Sequence, residues 1–335
     1  MKNQSNIAVI HSKTDCDLLS VSWDTSSICN YKCSYCSEDY NGGKNKFPPI
    51  DKVLKFLNEL SSQSGKKLFL EIKGGEPTFW KDLPMFLKVC DEKQWGTCLV
   101  TNGSSKLKWW KENLANIADV NISLHTEYFD LESMIEKIKY INKRRYLTVK
   151  YMMIPELFDE CVRRIEVIRE EIPSASVQAF YLAKPKKDGE LYEYTEYQKN
   201  KIEELNQYKK KFVKRIWKAF PFEDRNKAWS LDSRGVVEKI SSQKLKINNQ
   251  NLWKEWVCFA GIERVHIGSD GAIFRGQCKQ GGKIGSLYDT WTLPTEGVIC
   301  KKEICFCGSE LLLTKWKRED FSLVEKNLEI ELGIK

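Results

Sequence analysis

Residues 29–36 read CNYKCSYC, with cysteines at Cys29, Cys33 and Cys36. Three thiolates at this C-x3-C-x2-C spacing can bind one corner of a cubane iron–sulfur cluster, which ordinarily takes four cysteines. The next cysteine along the chain is Cys90. The spacing therefore predicts an iron with an open coordination position, as catalytic metal sites keep. A zinc knuckle is the structural alternative that this short motif leaves open.

Outward from this loop, apolar segments with strand character alternate with amphipathic helical segments. Strands are predicted at residues 18–23, 68–72, 98–101, 120–124, 147–154 and 176–182, and helices at 53–60, 83–90, 107–117, 131–141 and 156–171. This alternation indicates a parallel sheet with right-handed crossover helices. Six units are fewer than the eight of a closed barrel. The expected fold class is α/β, an open or partial (β/α)6 TIM-like barrel.

Polar motifs follow several of these strands, at the carboxyl edge where parallel sheets place their functional groups. Gly74-Gly75-Glu76-Pro77 ends the second strand, Thr101-Asn102-Gly103 the third, and Ser123 and His125 lie at the end of the fourth. His125 is predicted either to belong to a cofactor or substrate site or to be a structural histidine.

The last quarter of the chain is rich in cysteine. Gly268-Ser269-Asp270-Gly271 lies between two short apolar segments and predicts a β-hairpin. Cys258 and Cys278 bracket this hairpin, and Cys300, Cys305 and Cys307 follow it. These cysteines can supply four ligands to a second metal site, and a structural zinc ribbon is the alternative, because spacing alone does not identify the metal.

Composition restricts the class of protein. The chain has 335 residues, 41% of them hydrophobic and 30% charged, with a net charge of +8, which is typical of a globular protein. Neither an apolar run near the roughly 20 residues of a membrane span nor the apolar core of a signal peptide is present, so we expect a cytoplasmic protein. In that compartment the twelve cysteines favour metal ligation over disulfides. No motif indicates nucleic-acid binding.

Four segments are predicted from these patterns. Residues 1–182 form the barrel, and residues 183–255 form a linker and a helical segment. The helix begins after Thr195, which forms a capping-box signature with Gln198, and runs to about Trp217. Residues 256–312 form the small cysteine-rich β-hairpin domain, and residues 313–335 a C-terminal helix or tail.

The motifs together resemble those of the radical S-adenosylmethionine (radical SAM) superfamily. The resemblance covers residues 17–182 and is carried by the C-x3-C-x2-C motif, with the aromatic Tyr35 before its last cysteine, and by Gly-Gly-Glu-Pro about forty residues later. It implies that Cys29, Cys33 and Cys36 hold a [4Fe–4S] cluster whose fourth iron binds the amino and carboxylate groups of SAM.

The same resemblance implies roles around SAM. Gly74 and Gly75 let the backbone approach the methionine moiety, and Glu76 accepts a hydrogen bond from its ammonium group. The Tyr35 backbone contacts adenine. Thr101 and Ser123 lie where polar residues contact the ribose or the carboxylate.

The function implied is reductive cleavage of SAM to a 5′-deoxyadenosyl radical that abstracts a substrate hydrogen, an oxidoreductase- or isomerase-type reaction. The electron comes from an external donor such as flavodoxin or ferredoxin. A small molecule such as a sugar or nucleotide is slightly favoured as substrate, and a ribosomal peptide or protein side chain is the alternative. A non-enzymatic iron–sulfur or zinc protein is a further alternative, against which the Gly-Gly-Glu-Pro motif argues.

The C-terminal cysteines resemble the auxiliary-cluster domains called SPASM and twitch. A full SPASM domain uses seven cysteines for two clusters, whereas only five are present here. One auxiliary [4Fe–4S] cluster, as in a twitch domain, fits better. The spacing leaves open which of Cys300, Cys305 and Cys307 is spare.

Overall fold

A computed structural model describes residues 6–11, 18–185, 190–208, 227–242, 245, 250–305 and 310–320. The strands are β1 (Asn6–His11), β2 (Leu18–Asp24), β3 (Lys67–Lys73), β4 (Gly96–Thr101), β5 (Asp119–Leu124), β6 (Tyr146–Met153), β7 (Ser176–Tyr181), β8 (Lys227–Asp232), β9 (Val237–Ser241), β10 (Val257–Cys258), β11 (Arg264–Ile267), β12 (Ala272–Phe274), β13 (Lys283–Ser286), β14 (Val298–Ile299) and β15 (Lys315–Trp316). The α-helices are α1 (Glu38–Asn41), α2 (Ile50–Ser64), α3 (Leu83–Glu92), α4 (Leu107–Asn113), α5 (Leu131–Asn142), α6 (Phe158–Glu171) and α7 (Glu196–Asn206).

The six predicted strands are β2 to β7, and the predicted helices between them are α2 to α6. Helix α7 begins after Thr195 with the predicted capping box, in which the Gln198 amide nitrogen donates to Thr195 Oγ1 (3.2 Å) and the Thr195 nitrogen donates to Gln198 Oε1 (3.0 Å). The predicted end of this helix was wrong, because α7 ends at Asn206 and not near Trp217. Residues 209–226 lie outside the described part of the chain.

The chain divides into two compact units. The first contains Met1–Trp23, Pro49–Leu70 and Phe220–Lys335, and the second contains Asp24–Pro48 and Glu71–Ala219. In the second unit β4, β5, β6 and β7 lie side by side in that order, all parallel. One face of this sheet is apolar and covered, with the β5 side chains Val120, Ile122 and Leu124 fully buried. On the opposite face Asn121 and Ser123 are half-buried. This alternation leaves the face with the polar residues accessible.

In the first unit β1 lies between β8 and β15 and is antiparallel to both, within the order β14-β10-β15-β1-β8-β9. The predicted hairpin is present as β11 and β12, with His266 opposite Phe274. Its first strand also pairs in parallel with β2, from Arg264 beside Ser20 to Ile267 beside Trp23. The assignment of residues 256–312 to a separate domain stays a prediction.

Several strands were not predicted. They include β1, β8 and β9, the last two in the segment 219–255. In the predicted C-terminal helix or tail, Lys315–Trp316 is instead a strand, and a short 3-10 turn follows at Arg318–Asp320; residues 321–335 lie outside the described part. The tail became a strand because β10 and β1 offer it hydrogen-bonding edges on both sides.

No disulfide bond joins cysteines in the described part of the chain. Cys90, Cys98 and Cys161 are buried, and Cys16 lies outside the described residues. None of the helices in the described part combines the length and apolar character that a bilayer span requires.

Candidate cofactor and metal sites

The three cysteines of the first motif lie on the loop that follows β2. Cys33 is buried, and Cys29 and Cys36 are half-buried. The loop turns back on itself where the Cys36 nitrogen donates to the Cys33 carbonyl (3.0 Å). Burial raises the pKa of Cys29, and it raises those of Cys33 to about 12 and Cys36 to about 11. Because a bound cation stabilises thiolates, a metal is the partner that would let these thiols ionise at neutral pH.

Gly74 and Gly75 lie directly against the backbone that leads into the cysteine loop. A Cβ at Gly75 would lie 2.0 Å from the Ile28 carbonyl oxygen, and Gly74 has a φ of +124°. The Gly75 nitrogen donates to the Ser26 carbonyl (2.9 Å), and the Glu76 nitrogen donates to the Ile28 carbonyl (2.8 Å). The two glycines are therefore required by the packing of two backbone segments, a role that sequence reasoning did not foresee.

The Glu76 carboxylate is completely buried and bound by protein donors. Its Oε1 accepts from Thr78 N (3.1 Å), Thr78 Oγ1 (2.7 Å) and Thr101 Oγ1 (2.7 Å), and its Oε2 accepts from Asn102 N (2.7 Å). Oε1 thus accepts three of these bonds and Oε2 only one, and because each carboxylate oxygen has two lone-pair positions, Oε2 keeps one acceptor position. Burial nevertheless raises the pKa of Glu76. The carboxylate thus joins the end of β3 to the end of β4, and the expected contact with a SAM ammonium group stays a prediction.

Asn102 continues this network into the cysteine loop. Its Nδ2 donates to Asn30 Oδ1 (2.9 Å) and lies 3.8 Å from the Cys29 sulfur, while its Oδ1 accepts from the Ser104 nitrogen (2.9 Å). Sequence reasoning identified Asn102 only as part of a turn. Its amide in fact connects the first cysteine of the motif to the carboxyl edge of the sheet.

His125 supports the other side of the loop. Its Nδ1 is 2.7 Å from the Tyr35 hydroxyl, and the two rings are stacked with centroids 5.9 Å apart. Burial lowers the pKa of His125 to about 4, so the ring is neutral near pH 7 and its Nδ1 shares one hydrogen bond with the tyrosine hydroxyl. Of the two predicted roles, this contact supports the structural one, with His125 positioning the aromatic residue of the motif.

Two residues that sequence reasoning missed also hold the loop. Glu127 Oε2 accepts from the Ser34 nitrogen (3.1 Å), and Tyr128 stacks on Tyr31 with ring centroids 4.8 Å apart. Both follow His125 directly, so the segment after β5 contacts the loop at three places. The sequence signal that could have identified Glu127 and Tyr128 is that polar and aromatic residues cluster directly after a predicted strand.

The structural role of His125 has a pH signature. Its pKa is 6.5 when unfolded and about 4 when folded, so its contribution to stability is complete above pH 6.5 and is lost as the pH falls towards 4. The ring is half-buried, and we expect at most about 2 kcal/mol between pH 7.5 and 5.0. Urea unfolding of cluster-free protein should show a smaller pH dependence in His125→Asn, which can still accept from Tyr35. An identical pH dependence in the variant would contradict the assignment.

A polar row crosses the accessible face of the sheet. Ser123 on β5 is beside Lys150 on β6, which is beside Gln178 on β7. The ammonium group of Lys150 lies 5.4 Å from the Phe180 ring centroid. Within the described residues no carboxylate lies within 4.0 Å of Lys150 Nζ, and its side chain is half-buried. Ser123 was predicted as a site residue; the lysine next to it was not.

The C-terminal cysteines lie in the other unit. Cys258, Cys278, Cys300 and Cys305 line one cavity together with Lys302, Glu310 and Lys315. The Cys300 nitrogen donates to the Trp256 carbonyl (2.9 Å) beside β10, and the Cys305 nitrogen donates to the Asn251 carbonyl (2.9 Å). Burial raises the pKa of Cys258, and Lys315 opposes the shift. Cys307 lies outside the described residues.

Cys258 and Cys278, which bracket the hairpin, thus line one cavity, and Cys300 and Cys305 line it with them. Across the described ranges, no three His, Cys, Asp or Glu side chains are arranged to hold one metal ion. The four thiols therefore line a common cavity, but no three of them are placed as ligands of a single metal ion.

Comparison with curated proteins gives partial matches. The chain is 28% identical over 146 residues to an S-adenosylmethionine-dependent nucleotide dehydratase of Fibrobacter sp. (strain UWH6), covering 42% of each chain. It is 33% identical over 94 residues to an Fe-coproporphyrin III synthase of Methanosarcina barkeri (strain Fusaro / DSM 804), covering 25% of this chain and 21% of that protein. The matches therefore span less than half the length of these relatives.

Among solved structures, native anSMEcpe with bound AdoMet and Cp18Cys peptide superposes with a TM-score of 0.51 at 15% identity, covering 82% of this chain and 79% of that one. This likeness concerns the fold alone and supports an α/β partial TIM-type barrel. The radical SAM superfamily itself matches residues 23–193, just over half of the chain. The chain belongs to the radical SAM superfamily, whose members are enzymes that use SAM and a [4Fe–4S] cluster.

Proposed function

We propose that this protein holds a [4Fe–4S] cluster on Cys29, Cys33 and Cys36 and uses it to cleave SAM reductively. The observation that carries the proposal is the three-thiol loop, held on one side by Asn102 and on the other by the segment after β5. Three thiols with no fourth cysteine on the loop fit a cluster that keeps one iron open. When bound, the cluster supplies the electron that cleaves the C5′–S bond of SAM, giving methionine and a hydrogen-abstracting 5′-deoxyadenosyl radical.

The protein's own part is to bind, orient and exclude water. Gly74 and Gly75 hold the strand end against the loop backbone, where we propose that SAM lies with its methionine moiety. Glu76 and Thr101 fix the two strand ends through their mutual hydrogen bond. We propose that the Tyr35 backbone contacts adenine, with His125 holding the ring, and that the Ser123 hydroxyl contacts the ribose or carboxylate.

The test is SAM cleavage by anaerobically reconstituted protein with dithionite as reductant. We expect methionine and 5′-deoxyadenosine in a one-to-one ratio. A non-enzymatic electron carrier or zinc protein would bind its metal and release neither product. Flavodoxin or ferredoxin is proposed as the cellular donor, and replacing dithionite with reduced flavodoxin extends the same assay.

We further propose one auxiliary [4Fe–4S] cluster on Cys258, Cys278, Cys300 and Cys305. What supports this is that the four described cysteines line one cavity, and four thiolates complete a cubane.

Iron analysis tests the second cluster. Reconstituted protein should contain about eight irons and eight sulfides per chain, and Cys258→Ala about four of each. Cys161→Ala, which removes a buried cysteine outside both sites, is the matched control and should retain about eight. About four irons in the unaltered protein, together with bound zinc, would refute the auxiliary cluster.

For the substrate, we propose a small anionic molecule such as a sugar phosphate or nucleotide. Support comes from the accessible face of β5 to β7, where the half-buried Lys150 lies between Ser123 and Gln178 and beside the Phe180 ring. Neighbouring strands are about 4.8 Å apart, so a hydroxyl, an ammonium and an amide span roughly the width of a sugar. An ammonium without a carboxylate partner attracts an anionic group, and an aromatic ring suits a flat base.

Lys150→Met tests this assignment. With the four ribonucleoside triphosphates as probes, we expect at least one to stimulate 5′-deoxyadenosine formation in the unaltered protein. In Lys150→Met its KM should rise by about tenfold with little change in kcat, whereas Lys150→Arg should stay near the unaltered value. The exposed Lys108→Met is the control. Stimulation by cysteine-containing peptides and by no nucleotide would favour the alternative, radical modification of a peptide or protein side chain.

A further inference from the structure

A lysine lies among the C-terminal cysteines. In the antiparallel pair of β10 and β15, Cys258 is directly opposite Lys315, and directly opposed side chains project from the same face of a sheet. Lys315 lines the same cavity as the four cysteines. The strand register therefore fixes a cation beside the first thiol of this set.

The Lys315 side chain is held by three contacts. Its Nζ donates to the carbonyl oxygens of Glu310 (2.6 Å) and Leu311 (3.2 Å), and it lies 4.0 Å from the ring centroid of Trp253. Only 1% of the residue is exposed to solvent. Carbonyl dipoles and an aromatic face both stabilise a cation, so the ammonium group is fixed in position.

None of the described carboxylates around this cavity forms an ion pair with Lys315; the buried Glu263, whose Oε2 accepts from the Thr314 nitrogen (2.8 Å), interacts with it only electrostatically. The buried Glu310 carboxylate lies 3.7 Å from Arg264 Nε and accepts from the Gln277 nitrogen (2.8 Å). Lys302, the remaining charged residue of the cavity lining, is also a cation. Among the described residues, no carboxylate lies within 4.0 Å of Lys315 Nζ.

A buried ammonium group is costly unless an anion offsets its charge. The groups that line this cavity and can become anionic, apart from the paired Glu310, are the four cysteines. The electrostatics of the cavity therefore favour the ionised form of the four cysteines, as ligands of a centre with a net negative charge.

We propose that Lys315 is the counter-cation of this cysteine cavity and raises the reduction potential of the auxiliary cluster. The inference rests on the auxiliary cluster of the proposed function. With four thiolate ligands, a [4Fe–4S] centre in its oxidised resting form has a net charge of about −2, and one electron from dithionite, which is itself oxidised, brings it to about −3. A fixed positive charge stabilises the more negative state more strongly. Removing the charge makes reduction less favourable.

The experiment uses the full chain carrying Cys29→Ala, Cys33→Ala and Cys36→Ala, so that only the C-terminal set can bind a cluster. In this background Lys315→Gln keeps hydrogen-bond donors for the two carbonyls and removes the charge, and Lys315→Arg keeps the charge. Lys301→Gln, at an exposed neighbouring position, is the matched control. Potentials are measured by dithionite titration followed by electron paramagnetic resonance.

We expect Lys315→Gln to lower the equilibrium constant for reduction at least about tenfold, which is about 59 mV for a one-electron couple. Lys315→Arg and Lys301→Gln should stay within about threefold of the parent. If Lys315→Gln loses its cluster while Lys315→Arg keeps it, the requirement for the charge is supported. An unchanged potential in Lys315→Gln, an equal shift in Lys315→Arg, or cluster loss in both would overturn the inference. A parent protein that binds zinc and no iron would instead refute the auxiliary cluster, and the inference with it.

Discussion

Replacing Cys33 with alanine is expected to reduce 5′-deoxyadenosine formation to the background of the assay. Cys33 is the buried member of the three-thiol set, and its carbonyl holds the turn to Cys36. A cubane left with two loop thiolates lacks the ligands that hold it in place. The iron content should fall by about four per chain relative to the unaltered protein. Cys29→Ala and Cys36→Ala should behave in the same way.

The matched control is Cys90→Ala, which removes a completely buried cysteine of α3 that belongs to neither site. It should retain iron and activity and lose about 1 kcal/mol of stability through the small cavity it leaves. Undiminished 5′-deoxyadenosine formation by Cys33→Ala, with dithionite as reductant and without oxygen, would contradict the proposed function. Loss of activity in both variants would point to general unfolding, which circular dichroism detects.

Glu76→Ala is expected to have the largest effect on stability. It removes the acceptor of four hydrogen bonds and leaves the backbone N–H groups of Thr78 and Asn102 without their partner. Each buried donor left unsatisfied costs about 1–3 kcal/mol, and the total stability of a native domain is only about 5–15 kcal/mol. Cluster-free Glu76→Ala should therefore unfold at a much lower temperature or fail to accumulate as folded protein.

Glu76→Gln separates the two roles that this residue can have. Its amide oxygen can still accept from Thr78 and Thr101, whereas its NH2 group faces the Asn102 nitrogen, so we expect a smaller loss of about 1–3 kcal/mol. The exposed Glu112→Gln should change nothing. For each Glu76 variant, the unfolding temperature of the cluster-free protein is compared with the SAM affinity of the reconstituted protein. If Glu76→Ala keeps its unfolding temperature and loses only SAM binding, the carboxylate serves the cofactor and not the fold.

Hydrophobic periodicity alone predicted the strands and helices of residues 18–182, because buried parallel strands and amphipathic helices leave strong signals. It did not predict β1, whose short apolar run in NIAVIH gains strand character only from β8 and β15 on its two sides. The hairpin was predicted from Asp270-Gly271. Its parallel pairing with β2 joins residues more than two hundred positions apart, and no local pattern encodes such a pairing.

In the candidate site, too, contacts between distant parts of the chain could not be predicted from local sequence patterns. Spacing was enough to propose Cys29, Cys33 and Cys36 as cluster ligands, since a ligand motif is local in sequence. The contacts of Glu127 with Ser34 and of Asn102 with Cys29 depend on how two loops meet in space. The proposed SAM contact of Glu76 followed from its position in a motif, but the hydrogen bonds that it accepts from Thr101 and Asn102 depend on the relative positions of β3 and β4. Lys315 carries no sequence signal until its register with Cys258 is known.

The position of β1 has a consequence for how the chain folds. Its strand partners are β8 and β15, which are synthesised some two hundred and three hundred residues later. Contacts this distant in sequence slow folding, and during translation β1 cannot pair on both edges until β15 has left the ribosome. We therefore expect truncation before Lys315 to leave β1 with one open edge, an aggregation hazard, although every residue of the three-thiol loop would still be present.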